Sequence, residues 1–222
     1  MTPMPADRSL VDELHEHART LAGALGLPRD TGTRMADALH RQYAQWPRRY
    51  HDARHLLACV RAADGVRPIA PDADTIAFAL WFHDAVYWPW RRDNEARSAD
   101  QAREAARRLG LPAAFAARVH ALVMATAHLS GGPPAHADPA ADWVVDIDLG
   151  ILGTPPEVYD RYERDVRREY FFVMPWAWRK GRAAVLRHFL DQPRIYRTAH
   201  FHGLLEGPAR ANLQRALRAL GA

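Results

Sequence analysis

Between its proline and glycine breaks the chain spaces apolar residues three and four apart, and nowhere does it sustain the every-second-residue alternation of a half-buried strand. That pattern confines it to an all-α fold. From Ser9 to Leu25, Leu10, Leu14, Ala18, Leu21 and Leu25 share one side, Asp12, Glu13, Glu16 and Arg19 lie elsewhere, and Gly26 is the stop. Further helices are expected over 32–46, 51–64, 74–87, 93–110, 113–128, 141–152, 154–173, 182–190 and 206–220, giving about eight to ten in all. Asp93 is the expected N-cap of the fifth, and Thr154-Pro155-Pro156-Glu157 reads as a capping box with proline at the first helical position. Ser130-Gly131-Gly132-Pro133-Pro134 is the clearest loop, either a lid or a plain surface connection.

A chain of 222 residues, 48% of them hydrophobic, can bury a sizeable core, and no Ser/Gly linker or charge block divides it. The expectation is one domain over 1–222, with 1–30 an N-terminal helical extension and about 154–222 a C-terminal helical subregion. Cys59 is the single cysteine, which excludes a disulfide framework or a thiolate cluster and fits a reducing compartment. No apolar run approaches a membrane span, and the first eight residues lack the apolar stretch of a signal peptide, so a soluble cytoplasmic protein is expected. The formal charge is +4, but it is spread among acids, and of 30 basic residues only Lys180 is lysine. This distribution suits a small anionic substrate better than nucleic acid.

Polar groups set into the apolar face of a helix are the candidates for chemistry. In the run Ala79 to Tyr87, His83 and Asp84 stand side by side among apolar neighbours. A carboxylate there needs a partner, because an unpaired buried charge costs several kcal/mol. The pair either hydrogen-bonds adjacent helices or shares a divalent metal. His51 and His55, four apart, have a spacing compatible with metal ligation. His128 closes an apolar helix, a position that also suits a partner of the helix dipole. In Val144 to Leu152, Asp148 has Val144, Val145, Ile151 and Leu152 as helical neighbours, whereas Asp146 lies about 200° around the helix. Asp148 is therefore the acid expected in the apolar face.

The order His55, His83-Asp84, Asp148 resembles the H…HD…D signature of the HD superfamily of metal-dependent phosphohydrolases. The surrounding residues resemble a bacterial subgroup of small HD phosphohydrolases: Arg49-Tyr50-His51, Trp81-Phe82 before the pair and Val86-Tyr87 after it, Asp93-Asn94-Glu95 with Ser98-Ala99, Thr126 with His128, Asp146 with Asp148, and Arg168-Glu169-Tyr170. Asp52 departs from that pattern, in which Asn is more usual. The resemblance implies a helical HD fold holding a divalent ion (Mn, Co, Ni, Fe, Zn or Mg) through His55, His83, Asp84 and Asp148 on three helices. It also implies hydrolysis of a small phosphorylated metabolite, with a nucleotide the leading candidate. The alternative is a nucleotide-binding regulator with little turnover.

Around those ligands, Asp84 and Glu95 are the expected catalytic acids, Glu95 orienting water or protonating a leaving group, unless it only favours a helix N-terminus. Trp88 and Trp90 could stack on a base and Arg91 and Arg92 could pair with phosphate, or the tryptophans could only cap the core beneath the loop and the arginines be ordinary surface residues. His51 and His128 are further substrate contacts, or ligands of a second ion. Trp176 and Trp178 are candidates for a homodimer contact.

Overall fold

A computed structural model describes residues 5–128 and 137–221, the side chains of 5–8 excepted. The Ser130–Pro134 loop lies outside the described residues. The described residues form ten α-helices: α1 (Pro5–Ala24), α2 (Arg29–Tyr43), α3 (Ala53–Val66), α4 (Ala73–Phe82), α5 (Asn94–Arg108), α6 (Ala113–Met124), α7 (Pro139–Asp148), α8 (Pro156–Glu169), α9 (Pro175–Leu190) and α10 (Ala199–Ala219). A 3-10 turn, Leu149–Gly153, joins α7 to α8, and the described residues contain no strand. No helix among them is long and apolar enough to cross a membrane.

The all-α expectation therefore holds, and α4 shows what organises it. Every residue from Thr75 to Phe82 is buried, because that segment is apolar on all sides and can be satisfied only at the centre. Helices α1, α3, α5, α6 and α7 pack around it, and one contiguous buried cluster runs from Leu14 in α1 to Leu213 in α10. Helix α1 ends as Gly26 predicts: Gly26 takes φ +70°, its N–H reaches the Gly23 carbonyl at 3.1 Å and Leu27 N–H reaches Ala22 at 2.8 Å. The antiparallel α1–α2 pair depends on Gly32, whose missing side chain makes room for the Ala18 carbonyl backbone. Gly32→Ala is expected to lose about 1–3 kcal/mol, seen as a lower urea midpoint with an unchanged slope; an unchanged midpoint would refute the close approach.

Several helix ends differ from expectation, and the physical causes are local. Helix α3 begins after Asp52, whose carboxylate accepts the Arg54 and His55 N–H groups, so His51 lies outside the helix and the i, i+4 face with His55 does not form. Helix α4 stops at Phe82 and α6 at Met124, which puts Asp84 and His128 in turns. Helix α7 starts earlier than Ala141 because Asp138 caps the Ala140 and Ala141 N–H groups. Asp93 occupies the N-cap position of α5 without capping it, since Arg91 and Arg97 hold its carboxylate. The capping box at Thr154 is absent: its hydroxyl donates back to the Ile151 carbonyl at 2.7 Å, and Pro155 and Pro156 carry no N–H to cap. Helix α8 ends at Glu169, short of Val173, and α9 and α10 start well before Arg182 and Glu206.

Asp146 is the larger surprise. It is fully buried, more so than Asp148, because the start of α10 covers the face it projects from. Its oxygens accept Arg197 N–H at 2.8 Å and the Thr198 N–H and hydroxyl at 2.7 Å each. Burial raises its pKa, and these donors act against that.

Candidate metal centre

Three helix ends meet, those of α3, α4 and α7. The third residue of α3 supplies His55, the residue after α4 supplies His83, the following turn supplies Asp84, and the last residue of α7 supplies Asp148. His55 Nε2 and His83 Nε2 stand 2.9 Å apart. Asp148 Oδ1 lies 3.2 Å from the first and 3.4 Å from the second, and Asp84 Oδ2 lies 3.5 and 3.3 Å from them. Donors about 2.1 Å from a common ion are about 3.0–3.4 Å from one another, so these spacings are compatible with a shared ion. Two imidazole lone pairs at 2.9 Å repel unless a proton or a cation lies between them.

The chain prepares these atoms for that role. His83 Nδ1 faces the Leu80 carbonyl at 2.8 Å; a carbonyl only accepts, so Nδ1 carries the proton and Nε2 is turned toward the cluster. Asp148 Oδ2 receives His128 Nε2 at 2.8 Å, which orients the carboxylate from its outer side. Burial pushes Asp148 up, but His83, His128 and His55 outweigh it and hold it well below the usual carboxylate range. Asp84 is lowered by the same balance, with burial opposed chiefly by His83. Burial also works against a charged His83, but Asp84 and Asp148 overcome it and raise its pKa well above the ordinary value.

His55, Cys59, His83 and Asp148 offer donor atoms all within 4.8 Å of one another, a buried cluster able to hold a metal ion. Cys59 was absent from the set expected from sequence. It follows His55 by one helical turn, with Sγ 3.7 Å from Nε2. Burial, reinforced by Asp148 and Asp84, pushes the pKa of its thiol up, whereas His83 holds the Asp84 carboxyl below the usual carboxylate range.

A second tier holds the turn before α3. Glu169, at the end of α8, is fully buried; its Oε1 accepts the N–H groups of Arg49, Tyr50 and His51 at 2.7, 2.8 and 3.0 Å. Its Oε2 accepts His51 Nδ1 at 2.7 Å and the Tyr87 hydroxyl at 3.0 Å. Burial lowers the pKa of His51, but Glu169, with Asp84 and Asp148, turns the net shift upward. The His51 ring stacks on Tyr87 at 4.1 Å, and Tyr50 packs against His55 at 4.8 Å. Buried Arg48 binds the carbonyls of His51, Asp84 and Ala85 at 2.9, 2.7 and 2.9 Å, fastening this turn to the one that carries Asp84. Ser98 grips Val86 through both backbone groups, and the Asn94 amide does the same for Trp88.

The remaining expected residues divide. Glu95, in the first turn of α5, is half-buried; burial raises its pKa, Asp84 and Asp148 add to the rise and His128 opposes it, which places it in the field of the cluster. Trp88 is half-buried and packs on Trp90 at 5.1 Å. Arg91 pairs with Asp93 at 2.8 Å, and both Arg91 and Arg92 are exposed. Glu169, Arg48 and Asp146 have no role assigned from sequence; Glu169 and Asp146 stand in motifs of the resemblance, the one signal that marks them, while their partners lie far along the chain. Comparison of the chain with protein-family models, with curated proteins and with solved structures returned no match.

Proposed function

We propose that the chain is a metal-dependent phosphohydrolase of HD type, acting on a small phosphorylated metabolite, with a nucleotide the leading candidate. The observation that carries this reading is the convergence on His55 and His83, whose Nε2 atoms are 2.9 Å apart, of Asp84 and Asp148, each with one oxygen 3.2–3.5 Å from both, in the chain order His, His-Asp, Asp. Two imidazoles and two carboxylates suit Mn, Fe, Co, Ni or Zn better than an all-oxygen shell would, and the two carboxylate charges balance a divalent ion. Such an ion supplies Lewis acidity toward a phosphoryl oxygen and acidifies water.

The chain's own groups do the rest. The Leu80 carbonyl and His128 keep His83 and Asp148 oriented, so the ligand atoms are set before anything binds. In hydrolysis a water oxygen bonds to phosphorus while the bond from phosphorus to the leaving oxygen breaks, and that oxygen takes a proton. Glu95 is the group suited to move the proton, because burial, with Asp84 and Asp148, raises its pKa above that of an ordinary glutamate. His51, raised in pKa and held by Glu169, provides a donor for a phosphoryl oxygen. Arg91 is engaged with Asp93, which leaves Arg92 and Trp88 as the loop's contributions to substrate binding.

The test is a metal-by-substrate screen. Protein stripped with chelator is reloaded with each of the six metals and offered an aryl phosphate, an aryl phosphodiester and a nucleotide panel. Release of phosphate or an alcohol is expected with at least one transition metal. Glu95→Gln should then reduce kcat by roughly 100-fold, with metal uptake unchanged and the acidic or basic limb of the pH profile displaced. Full metal uptake with tight nucleotide binding but no turnover anywhere in the panel would replace this reading with the regulator.

A further inference from the structure

The surface beside the loop that follows α4 carries an aromatic patch that the catalytic proposal leaves unused. Trp46, Trp90, Phe171 and Phe172 form a connected set: Trp46 meets Phe171 at 5.4 Å and Trp90 at 6.4 Å, and Phe172 meets Trp90 at 5.8 Å and Phe171 at 5.6 Å. These rings are 45–60% exposed, and Met174 and Trp176, at the start of α9, add side chains exposed to 61% and 66%. Trp178 does not belong to the patch, because it packs on Tyr170 at 5.5 Å and under Arg167 at 5.3 Å, leaving Trp176 as the one of the expected pair that is outward.

We infer that this patch is the self-association surface of a homodimer. Large apolar side chains offer roughly 150–250 Å² each, so six of them, 45–66% uncovered, expose on the order of 700 Å². That exceeds the largest apolar patch usual on a monomer, about 300–600 Å². Doubled across a twofold axis it gives roughly 1,400 Å², within the range of stable interfaces. The composition is that of an interface core, with tryptophan, phenylalanine and methionine at the centre and arginine beside them. An open cleft of about 500 Å³ lined by Trp46, Pro47, Arg49, Arg168 and Phe171 gives the surface relief into which a side chain of a second copy fits.

The charges at the rim favour another copy over an anionic bilayer. Arg91 is paired with Asp93 and Arg168 with Asp165 beside the exposed Arg49 and Arg92, so the rim presents both signs and not cations alone. A twofold contact can exchange such pairs between copies, whereas an anionic lipid surface is recognised by clustered unpaired cations. The inference does not depend on the metal centre, and its test needs no activity.

Sedimentation velocity of the full chain between 1 and 100 μM should give a species of twice the 25.1 kDa chain mass. Phe171→Glu and Trp176→Glu, both at exposed positions, should each weaken the dimer by roughly 100-fold or more while leaving the far-ultraviolet CD spectrum unchanged. Ile69→Glu and Leu204→Glu, equally exposed but outside the patch, should leave it intact. If a patch variant misfolds, dilution of the wild-type protein decides: tryptophan emission should shift red as the dimer dissociates. A wild-type monomer at 100 μM overturns the inference, as does a dimer indifferent to the patch variants. A monomer that sediments with phosphatidylserine vesicles overturns it in favour of a membrane surface.

Discussion

Asp148→Ala is expected to abolish stoichiometric metal uptake, lowering affinity on the order of a thousand-fold, about one ligand's share of the binding free energy of a four-ligand site. Among the described residues, Asp148 is the one carboxylate that bridges three of the histidines around the cluster. One oxygen faces His55 and His83 at 3.2 and 3.4 Å, and the other receives His128 at 2.8 Å. Its removal deletes a ligand, releases His128 and leaves two imidazole nitrogens facing each other with one carboxylate fewer. Inductively coupled plasma mass spectrometry after dialysis against each metal reads the stoichiometry, and thermal unfolding with and without metal gives an independent reading, since an ion bound only by the folded state raises Tm. Asp146→Asn, two residues earlier, is the control: its carboxylate serves the start of α10, so it should lose stability and keep the metal. An Asp148→Ala protein that retains one equivalent as tightly as wild type would remove the basis of the proposed function.

Glu169→Ala should be the most destabilising substitution outside the cluster, by about 3–5 kcal/mol, because it strands three backbone N–H groups, the Tyr87 hydroxyl and His51 without their acceptor. At about 2–4 °C per kcal/mol for a chain of this size, Tm should fall by about 10 °C or more. The carboxyl also makes stability pH-dependent. Burial pushes its pKa up, but His51 and the three backbone donors bring it down to about 2, against an unfolded value of about 4.3. The folded value is the lower one, so its contribution of about 3 kcal/mol is complete above the unfolded pKa and is lost as pH falls from about 4.5 to 2. Urea titrations at pH 7, 4 and 3 should show wild type and Glu169→Ala converging as acid is added. Parallel curves, or a difference below 1 kcal/mol at pH 7, would show that the clamp contributes little.

What could be read from sequence was what neighbours along the chain decide. The apolar run of α4 marks a central helix, Gly26 marks a helix end, and the order of His55, His83, Asp84 and Asp148 anticipated side chains that the fold does bring together. Helix geometry failed where tertiary contacts end a helix. Asp84 was placed on a continuous α4, yet the helix stops at Phe82, where Arg48 takes the carbonyls of Asp84 and Ala85. Asp146 was judged the less buried acid on its own helix, and only the start of α10, fifty residues on, reverses that. Glu169 stands in a motif of the resemblance, but what it holds is illegible locally, because its partners are 82 to 120 positions away.

That last separation sets an order of events during synthesis. By the time residue 148 has left the ribosome, His55, His83, Asp84 and Asp148 are all available, yet the turn that precedes α3 still lacks the acceptor for three of its amides. At about 5–20 residues per second the wait is only seconds, but throughout it the nascent chain has a complete set of donors on an unfastened hinge. The carboxylate of Glu169 arrives as the latch, so the cluster becomes rigid only when the last quarter of the polypeptide is being made.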